Sequence, residues 1–146
     1  LTVAERMDQY KGSYTDYQFS FFLRINQVIA TAYSQAEADA KFADLENEAI
    51  ARLSTDTPAE QSIFAALSTA RHSLQYWSKV TGAQETVGKQ AKPGKIRNKL
   101  GKFWKVLIVV GADLAGAAGG TLIGGPVVGA ACGGGSSAGA ASVLKD

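Results

Sequence analysis

An all-α fold is predicted: a small antiparallel helical bundle, then a basic linker, then an apolar Gly/Ala-rich helical hairpin. Three observations predict it. Residues 1–85 repeat apolar side chains at helical spacing between capping signals, residues 86–112 carry seven Lys/Arg and no acid, and Val106–Leu144 carries one charge, Asp113, in 39 residues. The expected divisions are 1–82 for the bundle, 83–104 for the linker and 105–146 for the hairpin.

The first helix starts at a capping box, Thr2 with Glu5, and stops near Lys11 before Gly12. A second runs from about Thr15 to Tyr33, with Phe21, Phe22, Ile25, Val28, Ile29 and Ala32 on one face. Ser34 and Glu37 form a second capping box, opening a third helix whose stripe is Ala38, Phe42, Leu45, Ala49 and Leu53. Thr57, Pro58 and Glu60 supply cap, first-position proline and N3 acid together, the strongest helix start in the chain. The fourth helix then carries Ile63, Leu67, Ala70, Leu74 and Trp77 until Gly82. Short connections between these amphipathic helices fit an antiparallel bundle. The aromatic run from Tyr10 to Phe22, with Tyr33, reads as core packing because its spacing is helical.

The basic stretch contains Lys89, Lys92, Lys95, Arg97, Lys99, Lys102 and Lys105, with Pro93-Gly94 as a turn. Ile96, Leu100, Phe103, Trp104 and Leu107 share an apolar face at helical spacing. Basic residues, then aromatic ones, then an uncharged span is the order of a headgroup boundary. Lys89, Lys92, Lys95, Arg97, Lys99, Lys102, Phe103, Trp104 and Lys105 are therefore the candidate membrane-surface residues, facing anionic lipid. A solvated linker is the bland alternative, and phosphate tracking on nucleic acid is the least favoured.

Beyond it, small residues recur four apart: Gly111, Ala115, Gly119; Gly116, Gly120, Gly124; Gly125, Gly129, Gly133. Such patterning lets helix backbones approach closely and makes these the candidate helix-packing positions, for self-association or a partner helix. Twelve of the sixteen glycines lie at or beyond Gly101. At about 1 kcal/mol each against Ala, they disfavour a solvated helix, so lipid or protein must supply the surroundings. Gly124-Gly125-Pro126 is the expected break between arms of roughly 105–123 and 127–144. Asp113 is the odd residue, because a carboxylate within an apolar span marks a pathway or a polar partner.

Catalytic chemistry finds no support. The one histidine, His72, falls between stripe positions at a surface or boundary, and the one cysteine, Cys132, has no nucleophile setting. The carboxylates of the third helix read as solvated ion pairs, Glu37 with Lys41 and Glu48 with Arg52. The glycines after Val106–Val110 do not match the dinucleotide spacing G-x-G-x-x-G. No enzyme activity, metal or cofactor is expected. Leu1 is not an initiator residue, so upstream processing is the expectation, with a membrane-associated or secreted location.

The series from Gly111 to Ala141, with its Lys/Trp-rich approach, resembles the glycine-zipper regions of small bacteriocin-like, pore-forming or membrane-permeabilising bacterial proteins. The likeness is compositional, covers about a quarter of the chain and leaves the helical first half outside it. It implies membrane association, with oligomerisation or pore formation through the small-residue faces. The alternative is a soluble helical interaction module whose tail is buried against the bundle or in a partner protein.

Overall fold

Each capping signal in the first half becomes a helix start. The computed structural model describes residues 2–81 and 93–124, with side chains described for 2–80 and 103–124. Among these the chain is all-α, with five α-helices and no strand: α1 Val3–Met7, α2 Asp16–Thr31, α3 Gln35–Arg52, α4 Pro58–Thr81 and α5 Pro93–Gly124.

Thr2 and Glu5 close the expected capping box, each accepting the other's backbone N–H at 3.1 Å. Helix α1 stops sooner than expected, at Met7, and tightens into a 3-10 segment over Asp8–Ser13. That segment is closed by the Tyr14 N–H donating to the Lys11 carbonyl at 3.2 Å, one way of satisfying carbonyls left over at a helix end. A further box, Thr15 with Gln18, starts α2. Only half of the expected Ser34 box forms: Ser34 accepts the Glu37 N–H, while the Glu37 carboxylate turns to Lys41 at 3.7 Å. Thr57 caps α4 as read, accepting the Glu60 N–H at 3.2 Å, with Pro58 as first helical residue.

The helical stripes then meet. Phe21, Phe22 and Ile25 of α2, Phe42 of α3, and Ile63, Leu67 and Leu74 of α4 are all fully buried in one cluster. Ring contacts knit its aromatic part, with Phe22 edge-on to Tyr14 at 5.2 Å and tilted against Phe19 at 5.9 Å between ring centroids. Polar bridges hold the outside. Arg71 of α4 reaches Asp39 at 3.2 Å and Glu46 at 3.0 Å on α3. Glu48 pairs not with Arg52 but with Arg24 of α2, at 2.8 Å, because the packing of α2 on α3 brings that guanidinium closer than the side chain one turn away.

The Arg24 guanidinium, helped by the Tyr17 hydroxyl, holds the Glu48 carboxyl at about 2. A carboxyl lowered in the folded state stabilises the fold above its ordinary value and loses that contribution as pH falls from about 4.5 toward 2. The pair is partly solvated, so the expected gain is small. Glu48→Gln should cost about 0.2–1 kcal/mol at neutral pH and nothing below pH of about 2, measured by urea unfolding across pH.

Helix α5 is 32 residues long. Pro93, expected in a turn, is its first residue, where proline's missing N–H would lack a partner anyway. The helix runs through residue 104, where linker was expected to give way to hairpin, and reaches Gly124 without interruption. From Phe103 onward it joins the same cluster as the first four helices, packing most extensively on α4 and also on α1 and α2. The expected second arm and the positions Gly125, Gly129 and Gly133 lie outside the described residues, as do Lys89 and Lys92.

Candidate functional site

The apolar part of α5, which carries the described candidate helix-packing residues, is Phe103–Gly124, 22 residues long, with 78% of its most apolar window buried in the protein. At about 1.5 Å per residue it is roughly 33 Å long, against a hydrocarbon core of about 30 Å. The chain therefore has one described helix long and apolar enough to cross a membrane, and it is mostly covered.

What covers it is specific. Val106, Leu107, Val110 and Leu114 enter the core between the other helices. In the first small-residue register, Gly111 and Gly119 lie against the N-terminal segment and α2, and Ala115 between them is buried. A Cβ added at Gly111 would stand 3.3 Å from a Val3 methyl and 3.4 Å from Ile29, and one at Gly119 would stand 3.2 Å from the Tyr10 ring. These two close approaches are eight residues apart on α5, so the N-terminal segment rides along the helix for about 12 Å. In the second register Gly116 is half-buried, Gly120 buried and Gly124 exposed.

Asp113 sits at the midpoint of the apolar stretch, 7% exposed, and has the polar partner its position called for. The Ser73 hydroxyl of α4 donates to Asp113 Oδ2 at 2.5 Å, and Ser73 is itself buried. A buried carboxyl oxygen needs such a donor in place of water. The pairing ties α4 to α5 at the point where α5 is least compatible with a bilayer, since a carboxylate at the membrane midplane costs about 2.5–3.5 kcal/mol.

The candidate membrane-surface residues divide. Lys95, Arg97, Lys99 and Lys102 lie in the first three turns of α5. Phe103 and Trp104, expected on one face, point apart: Phe103 is 3% exposed in the core, while Trp104 is 52% exposed and Lys105 half-buried. Adjacent residues on a helix differ by about 100°, so Phe103 goes with Leu107 inward and Trp104 with Ile108 outward. Ile108 is partly exposed, which the sequence reading missed although the four-residue spacing from Trp104 was there to find it.

Beside this outward pair is a groove of about 330 Å³ between α1, α2 and α5. Val3, Ile29, Ala30, Leu107 and Gly111 form its apolar lining, with Trp104 and Ile108 along the α5 side. Thr2, Glu5 and Asn26 supply the polar rim. His72 is exposed on α4. Among the described residues no group of three or more His, Cys, Asp or Glu is placed to hold a metal ion.

No family model matches the chain, and no curated protein or solved structure is significantly similar to it.

Proposed function

We propose that the chain is a non-enzymatic membrane-associating protein that keeps an apolar helix covered in water and delivers it to anionic lipid. The observation that carries this reading is Phe103–Gly124: a helix of membrane-spanning length, preceded by a basic run and mostly buried against the amphipathic helices before it. In water those helices are a sheath that supplies the apolar surroundings that a glycine-rich helix lacks on its own. At a lipid surface the bilayer supplies them instead, and the small-residue faces released from Val3, Ile29 and Tyr10 become free to pack on another copy. Self-association also offers Asp113 a polar partner in place of Ser73, which favours an oligomer or pore over a lone span. The compositional resemblance of the Gly111–Ala141 series to bacteriocin-like proteins suits this reading.

Flotation with anionic and neutral liposomes tests it. The full chain is expected to float with anionic vesicles. Changing Lys95, Lys99 and Lys102 to Gln should weaken binding at low salt by about 3 kcal/mol, near 100-fold, from about 1 kcal/mol per basic residue. High salt should narrow that difference. A loss independent of salt would count against lipid as the partner of this run.

A second reading, a soluble interaction module with the tail as its core helix, is favoured by the burial of α5 and its Ser73–Asp113 bond. It predicts a monodisperse chain that floats with no vesicle.

A further inference from the structure

We infer that copies of α5 assembled in a membrane enclose a cation-selective pore, with Asp113 as the selecting charge and Thr121 on the same lumen. This rests on the membrane reading above and names what the assembly passes.

Helical geometry puts the polar residues of the span on one side. Asp113, Ala117, Gly120 and Thr121 are spaced i, i+4, i+7 and i+8, which places them within about 100° of one another around the axis. All four are buried in the fold. Asp113 turns toward α4, whose Ser73 hydroxyl donates to it. The Thr121 hydroxyl, in a residue 2% exposed, has no hydrogen-bond partner among the described residues. About 12 Å, a little over two turns, separates it from the carboxylate along the helix. The fold therefore supplies a donor to this polar strip at Asp113 and no partner at Thr121.

Once α5 leaves its sheath, the strip can face lipid, another copy or water. Lipid is excluded by the carboxylate, which stands at the middle of the span. The basic run holds the N-terminal end of each copy at the same headgroup surface, so the carboxylates of neighbouring copies stand at one level. A sealed contact through the strip would then press like charges together. Packing through Gly111, Ala115 and Gly119 uses nearly the opposite side of the helix and leaves the strip uncovered. A water-filled lumen is the arrangement that hydrates the carboxylates and the hydroxyls at once.

Charge sets what passes. Asp113 is the sole charge from Val106 to Leu144, so the span offers one acid per copy and no base. The run from Lys89 to Lys105 precedes that stretch, at the headgroup boundary. A ring of carboxylates attracts cations and repels anions.

The test adds the full chain to a planar bilayer of phosphatidylglycerol and phosphatidylcholine under a KCl gradient and reads the K⁺/Cl⁻ permeability ratio from the reversal potential. K⁺ is expected to pass about tenfold more readily, the ratio that a preference of about 1.4 kcal/mol gives. Asp113→Asn keeps an oxygen that can accept from Ser73, and should abolish the preference while conductance persists. Ser73→Ala alters a contact made only in the water-soluble fold, and should leave the ratio unchanged. Thr121→Cys, in a Cys132→Ser background, should lose conductance on reaction with a cationic methanethiosulfonate. That readout decides the lining independently, should Asp113→Asn fail to insert. An anion preference, or a cation preference kept by Asp113→Asn, would overturn Asp113 as the selecting charge. A ratio shifted by Ser73→Ala, or a Thr121→Cys conductance untouched by the reagent, would refute the strip as the lumen wall. Flotation with anionic vesicles and no conductance would overturn the pore and leave membrane association standing. An absence of both would overturn the two together.

Discussion

Replacing Phe22 with alanine is expected to cost the fold about 3–5 kcal/mol and, by loosening the sheath, to increase membrane binding. Phe22 is fully buried in the cluster that also holds Leu107 and Leu114 of α5, and Tyr14 and Phe19 pack against its ring. The cost combines lost transfer free energy with the cavity left behind. Native domains are stable by only about 5–15 kcal/mol, so this one change would populate states in which α5 is uncovered. Urea unfolding should show a lower midpoint, and the variant should float with anionic vesicles at lower lipid concentration than the parent chain. A destabilised variant that aggregates in water and binds no more lipid would instead favour the soluble-module reading.

Gly119→Leu is the second large effect, and comparison with Gly119→Ala isolates its cause. A Cβ at this position comes 3.2 Å from Tyr10, which must give by a few tenths of an ångström. Tyr10 is only half-buried and has room to move, and alanine gains about 1 kcal/mol of helix propensity over glycine, so Gly119→Ala should be near neutral. Leucine drives further atoms into the ring. It should cost about 1–3 kcal/mol by overpacking and separate the N-terminal segment from α5. In membranes the same bulk should abolish crosslinking between copies if the Gly111, Ala115, Gly119 face mediates self-association. Persistent crosslinking would assign self-association to another face.

The local half of this fold was legible in the sequence and the long-range half was not. Thr2 with Glu5, and Thr57 with Pro58 and Glu60, announce helix starts because the interacting groups are three residues apart. The stripes Ala38, Phe42, Leu45, Ala49 and Ile63, Leu67, Ala70, Leu74 announce buried faces because helical geometry alone aligns them. Where α1 tightens to a 3-10 turn, and where Glu37 abandons its cap for Lys41, two local options of similar energy compete and composition does not choose between them. The Ser73–Asp113 bond joins residues 40 apart, and its formation depends on α4 and α5 packing together. That Asp113 needs a polar partner was readable; which one was not. The same limit applies to the divergence of Phe103 and Trp104 and to the groove beside them, since only the assembled bundle decides which face of α5 is inward.

The most direct measurement asks whether α5 must leave its sheath to enter a membrane. An ideal Cβ at Gly111 is 3.3 Å from a Val3 methyl, placing the two Cβ positions within roughly 5 Å, close to the about 3.5–4.5 Å a disulfide spans. Val3→Cys with Gly111→Cys, in a Cys132→Ser background, would lock α1 onto the middle of α5. An inserting helix would then drag Glu5 and Arg6 into the hydrocarbon, at a cost of several kcal/mol. The account predicts that the oxidised chain remains folded but loses flotation resistant to high salt, and that a reductant restores it. Equal salt-resistant flotation of the oxidised and reduced chains would contradict it.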